Sequence, residues 1–472
     1  MSAAATQAPV VQEVARLVGR ARAAQAIADG YGQARVDELV AAAAWAILEP
    51  GRNRELSELA VRDTGIGEVE DKVLKNHRKT LGLLRDLHGL KTVGVISEDK
   101  ARGIVEIARP VGVVCAITPS TNPAATPANK IINSLKARNA VIVAPSPKGA
   151  STCARLIEHI HAELDRIGAP RDLVQMLPAP VTKEATAELM RQCDLVVATG
   201  SQANVRAAYA SGTPAFGVGA GNVASIVDET ADVEDAAAKI VQSKTFDNAT
   251  SCSSENSVVL VEAIAAPMLS ALARQGCVPV SGEDRKRLEA CMWPEGKLSS
   301  AVIGQSAAAI AERAGLADPA TRRARVLLVE ESGTGPAHRF SGEKLSPVLT
   351  VYRVPDFARA KELVRRIYAY QGAGHSVSLH SKVEERALDL GLTLPVARVI
   401  VNQVHVVANG GSFSNGLPVS LSMGCGTWGR NNFSDNLNVR QYMNVTRIAR
   451  PIPERVPTLE DLLGPYFARW GR

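Results

Sequence analysis

The chain of 472 residues is 46% hydrophobic and only 4% aromatic, with 54 Lys and Arg against 48 Asp and Glu for a formal net charge of +6. That length suits about three units of domain size with apolar residues enough for their cores, and interspersed charge with few aromatics excludes a dedicated nucleic-acid surface. The cysteines (Cys115, Cys153, Cys193, Cys252, Cys277, Cys291 and Cys425) form no CxxC pair or metal-ligand cluster, and no apolar run approaches the roughly 18 residues of a spanning helix, so the expected setting is a reducing cytoplasm without metal or membrane partner.

The opening Met-Ser-Ala-Ala-Ala-Thr-Gln-Ala-Pro lacks the basic-then-apolar order of an export signal. Richness in Ala, Leu, Glu and Arg then predicts helices over Val10 to Ala28, Ala34 to Leu48 and the charged stretch Glu68 to Leu87, forming a helical cover. From Gly103 β-branched runs take over, Ile104 to Ala108 and Val111 to Ile117, split by Arg109-Pro110. Three strand-helix alternations follow: Ala140 to Ala144 with Ala150 to Ile167, Leu173 to Leu177 with Lys183 to Gln192, and Leu195 to Ala198 with Gln202 to Ala210. Strands that read as continuous apolar runs are buried on both faces by crossover helices, which predicts a doubly wound parallel sheet. After an acidic helix, Val233 to Ser243, a second α/β block is predicted with strands at Val258 to Val261, Val326 to Val329, Val348 to Arg353, Ser376 to His380 and Val399 to Asn402.

Cys252 stands out within this order. Its segment, Thr245-Phe-Asp-Asn-Ala-Thr-Ser-Cys252-Ser-Ser-Glu-Asn, is a polar loop leading straight into an apolar strand near the junction of the two blocks. Structural cysteines sit among apolar neighbours, whereas a reactive one sits in a polar, partly exposed pocket that can stabilise its thiolate. Other segments read two ways. Thr118-Pro119-Ser-Thr-Asn122-Pro follows a strand and offers either a plain turn or an Asn122 amide aimed at a developing oxyanion. Thr199-Gly200-Ser201 opens a helix, as an N-cap or as a pyrophosphate site. Gly217-Val-Gly219-Ala-Gly221-Asn is a tight turn or a ligand-facing loop. His375, in Gly-Ala-Gly-His375-Ser-Val, is a proton-transfer residue or a surface histidine.

Taken in order, these motifs, with Lys344-Leu-Ser-Pro-Val-Leu349 and Gly424-Cys-Gly-Thr-Trp-Gly429, resemble the CoA-acylating aldehyde dehydrogenases from about residue 5 to 450. That group includes the aldehyde dehydrogenase half of bifunctional aldehyde/alcohol dehydrogenase and acylating sulfoacetaldehyde dehydrogenase. The resemblance implies an α/β fold with a Rossmann-type nucleotide-binding domain (1–236, with a β-hairpin at 92–110), a catalytic thiol domain (237–424) and a return segment (425–472). The hairpin and a strand near Tyr442 to Ile448 would form a small β oligomerisation element, giving a homodimer or homotetramer. It further implies Cys252 as nucleophile, Asn122 and the Cys252 N–H as oxyanion donors, Glu343 at the nicotinamide ribose, and NAD or NADP with coenzyme A as acyl acceptor.

Two departures from the wider superfamily refine this expectation. Where hydrolytic members carry a Glu-Leu-Gly-Gly type segment with a glutamate base, this chain has Gly217-Val-Gly219-Ala-Gly221-Asn, so no carboxylate is expected there to activate water. Where Lys-Pro-Ser/Ala-Glu is usual, the chain has Ala144-Pro-Ser146-Pro-Lys148, and Ser146 with Lys148 suits a 2′-phosphate, so NADP stands level with NAD. Arg430 with Asn431 reads either as a surface arginine or as the partner of an anionic tail such as a sulfonate, and the C-terminal third resembles sulfoacetaldehyde dehydrogenase more than the acetaldehyde enzymes. Sulfoacetaldehyde is accordingly the leading substrate, ahead of acetaldehyde, propionaldehyde or succinic semialdehyde and of a non-acylating reaction. The amphipathic Leu459 to Phe467 reads as a docked terminal helix, or as a segment that places the chain inside a larger assembly.

Overall fold

The N-terminal cover consists of four helices, α1 (Ala3–Asp29), α2 (Gln33–Leu48), α3 (Pro50–Thr64) and α4 (Val69–Leu87). A computed structural model describes the backbone from Ala3 to Arg472 and side chains from Pro9 onward. The α3 helix, absent from the predicted set, is started by Pro50 and by the Glu49 carboxylate accepting from the Gly51 and Arg52 N–H groups. Gly65, in the left-handed region at φ 66°, ends it.

Strands β1 (Gly94–Asp99) and β2 (Ile104–Pro110) form an antiparallel hairpin. Next, β3 (Val113–Thr118), β4 (Ala140–Pro145), β5 (Val174–Met176), β6 (Leu195–Ala198) and β7 (Ala215–Gly217) build a parallel sheet of order β5-β4-β3-β6-β7. A second parallel sheet, of order β10-β11-β12-β9-β8-β13-β14, gathers β8 (Val223–Val227), β9 (Glu255–Val261), β10 (Cys277–Pro279), β11 (Val326–Glu330), β12 (Val348–Val354), β13 (Val377–His380) and β14 (Val399–Val401). β15 (Met443–Ala449) returns to pair with β2, placing Val445 opposite Ala108 and completing a three-stranded sheet where the hairpin and C-terminal strand were predicted. Every residue of β3, β4 and β9 is buried, because crossover helices cover both faces.

The passage between the two large sheets comes earlier than the 236/237 boundary. β8 already belongs to the second sheet, so the chain crosses within Val218–Asn222. The helix Val233–Thr245 goes with it, since Ala236, Ala237, Ile240 and Val241 share one apolar core with Val258 and Leu260 of β9. The terminal helix Leu459–Trp470 forms behind a Thr458–Asp461 capping box, but Leu459, Leu462, Tyr466 and Trp470 stay exposed, so it is not docked on this chain. Among the described residues no helix is long and apolar enough to cross a membrane.

Candidate active site

A cleft of about 600 Å³ lies where the C-terminal ends of the first sheet's strands face the N-terminal ends of the second sheet's. From the first come Thr118, Pro119 and Asn122 at and after the end of β3, Ser146 and Lys148 after β4, Thr199, Gly200 and Ser201 after β6, and Gly219 and Gly221 after β7. Cys252 precedes β9 and Glu343 precedes β12, and both line the same cleft. Residues far apart in sequence converge there because the carboxyl-end crevice of the first sheet is closed by the loops that lead into the strands of the second.

Cys252 is fixed by an unusual approach. Asp247, Asn248 and Ala249 are three consecutive left-handed residues (φ 50°, 51° and 58°), a costly conformation that turns the chain sharply before the thiol. Gly221 closes on it from the crossing segment, where a Cβ would lie 2.1 Å from the Cys252 carbonyl oxygen, so only glycine fits. The thiol is half-buried, and burial, reinforced by the nearby Glu343 carboxyl, pushes it up to about 12 despite the opposing Arg398 guanidinium. The polar loop therefore holds a protonated thiol rather than the stabilised thiolate expected of it.

His375 resolves its two readings. It is buried, and its Nε2 lies 3.3 Å from Cys252 Sγ while Nδ1 is 2.8 Å from Ser376 Oγ. Burial, with the Arg398 charge, holds the imidazole well below its ordinary value, so it is neutral and free to accept a proton. Gly372 and Gly374, at φ 95° and 86°, bring the ring in; a Cβ at Gly374 would sit 1.8 Å from the Cys425 carbonyl oxygen. Arg398 Nη2 donates to the His375 and Gly424 carbonyls at 3.0 and 2.7 Å and fixes the backbone there.

Asn122 is oriented from α4. Its Oδ1 accepts from Lys75 Nζ at 2.8 Å, which leaves the Nδ2 donor for the cleft. The Cys252 N–H makes no hydrogen bond among the described residues and provides a second donor. Lys75 and Lys72 both pair with Asp247. Burial alone would raise the Asp247 carboxyl, but the two lysines hold it below the usual carboxylate range. Asn122→Ala is expected to lower kcat about 10²–10³-fold with little change in cofactor affinity, measured by steady-state kinetics and cofactor titration.

The cofactor residues fit a dinucleotide. Thr118 Oγ1 is buried without a partner among the described residues, and Ser201 caps the helix Gln202–Ala210, accepting from Asn204 N at 3.3 Å with the first-turn N–H groups facing the cleft. Glu343 is not a solvated charge: burial raises its carboxyl to about 8, opposed by the Gly221 N–H and Lys244. A carboxyl thus does stand near the thiol, though it comes from beside Lys344 and not from the 217–222 segment, and it is largely protonated at neutral pH.

Three expected residues fall outside the cleft. Gly217 packs instead, its absent Cβ leaving room for Val205 and Tyr209, and Tyr209 Oη donates to its carbonyl at 3.0 Å. Asn431 is consumed internally, accepting from Cys425 N at 2.9 Å and donating to the Gly429 carbonyl. Arg430, in the left-handed region at φ 59°, lines a neighbouring hollow of about 690 Å³ with Tyr370 and Trp428, which meets the cleft at Gln202, Ala220 and Gln371. In the other direction, sequence reasoning missed Lys72, Lys75, Lys79, Asp247 and Arg398. The spacing of Lys72, Lys75 and Lys79 on one face of α4 was the available signal.

Comparison with known proteins agrees with this geometry. The aldehyde dehydrogenase family model matches residues 3–282. Sulfoacetaldehyde dehydrogenase (acylating) of Cupriavidus necator is 67% identical, over 98% of this chain and 94% of its own length. The protein of the same name from Bilophila wadsworthia is 42% identical, over 96% of this chain and 98% of its own. The crystal structure of an acetylating aldehyde dehydrogenase from Geobacillus thermoglucosidasius superimposes with a TM-score of 0.91 at 35% identity, covering 96% of this chain and 99% of that one. The thiol-histidine cleft, the crossing of the two sheets and these likenesses together make the chain a member of the aldehyde dehydrogenase family, within its CoA-acylating group.

Proposed function

We propose that this acylating aldehyde dehydrogenase acts on sulfoacetaldehyde, joining its oxidation to CoA thioester formation through Cys252. The observation that carries the chemistry is the 3.3 Å contact between Cys252 Sγ and the Nε2 of a neutral, buried His375. His375 takes the thiol proton as sulfur attacks the carbonyl carbon, and the oxygen gains negative charge against the Asn122 Nδ2 and the Cys252 N–H. The resulting thiohemiacetal carries the hydride on a carbon bearing that oxyanion. When bound, NAD(P)+ supplies the hydride acceptor; Thr118, Thr199 and Ser201 are the groups to hold it, and Ser146 with Lys148 equips the rim for a 2′-phosphate. Collapse leaves an acyl thioester on Cys252, which the CoA thiolate then displaces, returning the cysteine as thiolate to recover its proton from His375. With no carboxylate in the 217–222 segment and Glu343 largely protonated, the thioester is spared hydrolysis until CoA arrives.

The substrate follows from the names of the two relatives most similar over nearly the whole chain. The exposed Val95, Val445 and Ile448 on the three-stranded sheet support a dimer or tetramer built on that sheet, and the seven free thiols fit a reducing cytoplasm. The test is NAD+ and NADP+ reduction with sulfoacetaldehyde, propionaldehyde, acetaldehyde and succinic semialdehyde, with and without CoA, products being identified by mass spectrometry. Sulfoacetyl-CoA formed at the highest kcat/KM is the expected result. Free acid formed equally fast without CoA overturns the acylating step, and preference for another aldehyde overturns the substrate.

A further inference from the structure

The side of α4 facing the cleft carries Lys72, Lys75, Arg78 and Lys79. Like charges at this helical spacing repel, so the stripe does not serve the helix itself. Lys72 and Lys75 share the single Asp247 carboxylate. Lys79 has no ion-pair partner among the described residues. Its Nζ donates to the Gly410 and Gly411 carbonyls at 2.9 and 3.0 Å, with the Val407 carbonyl at the limiting distance of 3.5 Å. An ammonium has three hydrogens, and the one on the long Val407 contact is the one an anion could draw away. Arg78 is exposed and likewise makes no ion pair or hydrogen bond among the described residues; its guanidinium rests 5.1 Å from the centre of the Phe413 ring. Burial, followed by the charges of Lys75 and Arg78, pushes the Lys79 ammonium down to about 7, the direction expected where cations outnumber anions.

These two cations end a side recess of about 50 Å³ whose walls are Phe246, Val406, Val407 and Leu421. Asn122 and Ser251 line both the recess and the Cys252 cleft, so the two spaces are continuous at the proposed oxyanion donor. An aldehyde with its carbonyl oxygen on Asn122 and its carbon at Cys252 Sγ would find beside it, in the recess that shares this lining, an apolar wall and the side chains of Arg78 and Lys79. Arg430, the residue expected from sequence for this task, is in a different hollow.

We infer that Arg78 and Lys79 form the anion subsite that selects aldehydes with a negatively charged group one or two methylenes from the carbonyl, a sulfonate before a carboxylate. This rests on the substrate proposed above and names the residues that would recognise it. A sulfonate keeps its charge across the neutral pH range and offers three acceptor oxygens, enough for the Lys79 hydrogen weakly held by Val407 and the forked guanidinium together.

The test compares kcat/KM for sulfoacetaldehyde with that for propionaldehyde, a neutral aldehyde of similar length, in the full-length enzyme. K79M and R78A are each expected to lower the sulfoacetaldehyde-to-propionaldehyde ratio about tenfold or more, mainly through KM for the sulfonate, as loss of a charge-assisted contact requires. K79R and R78K should retain most of the ratio. Equal changes for both aldehydes, or an unchanged ratio, would overturn the inference. K79M also releases the Gly410 and Gly411 carbonyls; R78A, at an exposed side chain, carries the test if that variant does not fold. Succinic semialdehyde separates the two readings. A wild-type enzyme that prefers it sinks the sulfonate substrate, while a variant ratio of succinic semialdehyde to propionaldehyde that still falls tenfold keeps the anion subsite. A wild type that turns over no anionic aldehyde sinks both.

Discussion

Cys252→Ala is expected to lower aldehyde-dependent NAD(P)H formation by about 10⁵-fold or more, because the route runs through a covalent bond to one sulfur and nothing else in the cleft replaces it. Cys425 is buried and lies outside the cleft lining, and the remaining cysteines belong to other parts of the fold. The side chain is small and half-buried in a loop before β9, whose pairing with β8 and β12 is made by backbone groups, so the variant should fold and bind cofactor as the parent does. The decisive readout is intact-protein mass after mixing with aldehyde and NAD(P)+ without CoA. The parent gains one acyl group and the variant none. Turnover or an acyl adduct in the variant would remove Cys252 from the mechanism.

His375→Ala is expected to lower kcat/KM about 10²–10⁴-fold, the usual weight of a positioned general base. The sign of the pH effect follows from the two groups. A thiol pushed up to about 12 is almost entirely protonated between pH 7 and 9, whereas an imidazole held well below its ordinary value stays neutral throughout that window. With the histidine present, the base is therefore constant, so the parent's profile should carry no thiolate slope over this range, any slope from Glu343 or Lys79, which titrate in or near it, being shared with the variant. Without it, only free thiolate reacts, and the residual rate should climb about tenfold for each pH unit. Steady-state profiles of parent and variant between pH 7 and 9 distinguish the cases. A variant within tenfold of the parent, or with the same profile, would show that His375 does not take the proton.

How far the sequence revealed this arrangement depends on the range over which each signal acts. The βαβ alternation is local, and helices such as Lys183–Gln192 and Gln202–Ala210 agree with their apolar periodicity residue for residue. Cys252 was legible for the same reason, since its polar loop and the strand after it are contiguous. The α3 helix was not, because Arg52-Asn-Arg-Glu-Leu-Ser-Glu58 shows little apolar stripe, and its start is fixed by Pro50 and the Glu49 side chain. The left-handed run at Asp247–Ala249 was only partly marked, since Asp and Asn tolerate positive φ but alanine gives no hint of it. That Arg430 and Asn431 do not line the Cys252 cleft was not legible, because a glycine-rich neighbourhood shows that a loop bends but not which way it faces. Lys75 and Lys79 were hidden in plain charge: a lysine-rich helix resembles a solvated face until another element is packed against it.

The crossing at Val218–Asn222 has a mechanical consequence. In a protein whose two halves are tied far from the working cavity, they can swing apart without disturbing the reacting groups. Here the tether itself is a wall of the cavity, and Gly221 within it already lies against the Cys252 carbonyl. Any change in the angle between the two sheets would thus be delivered at the sulfur with no lever arm to soften it.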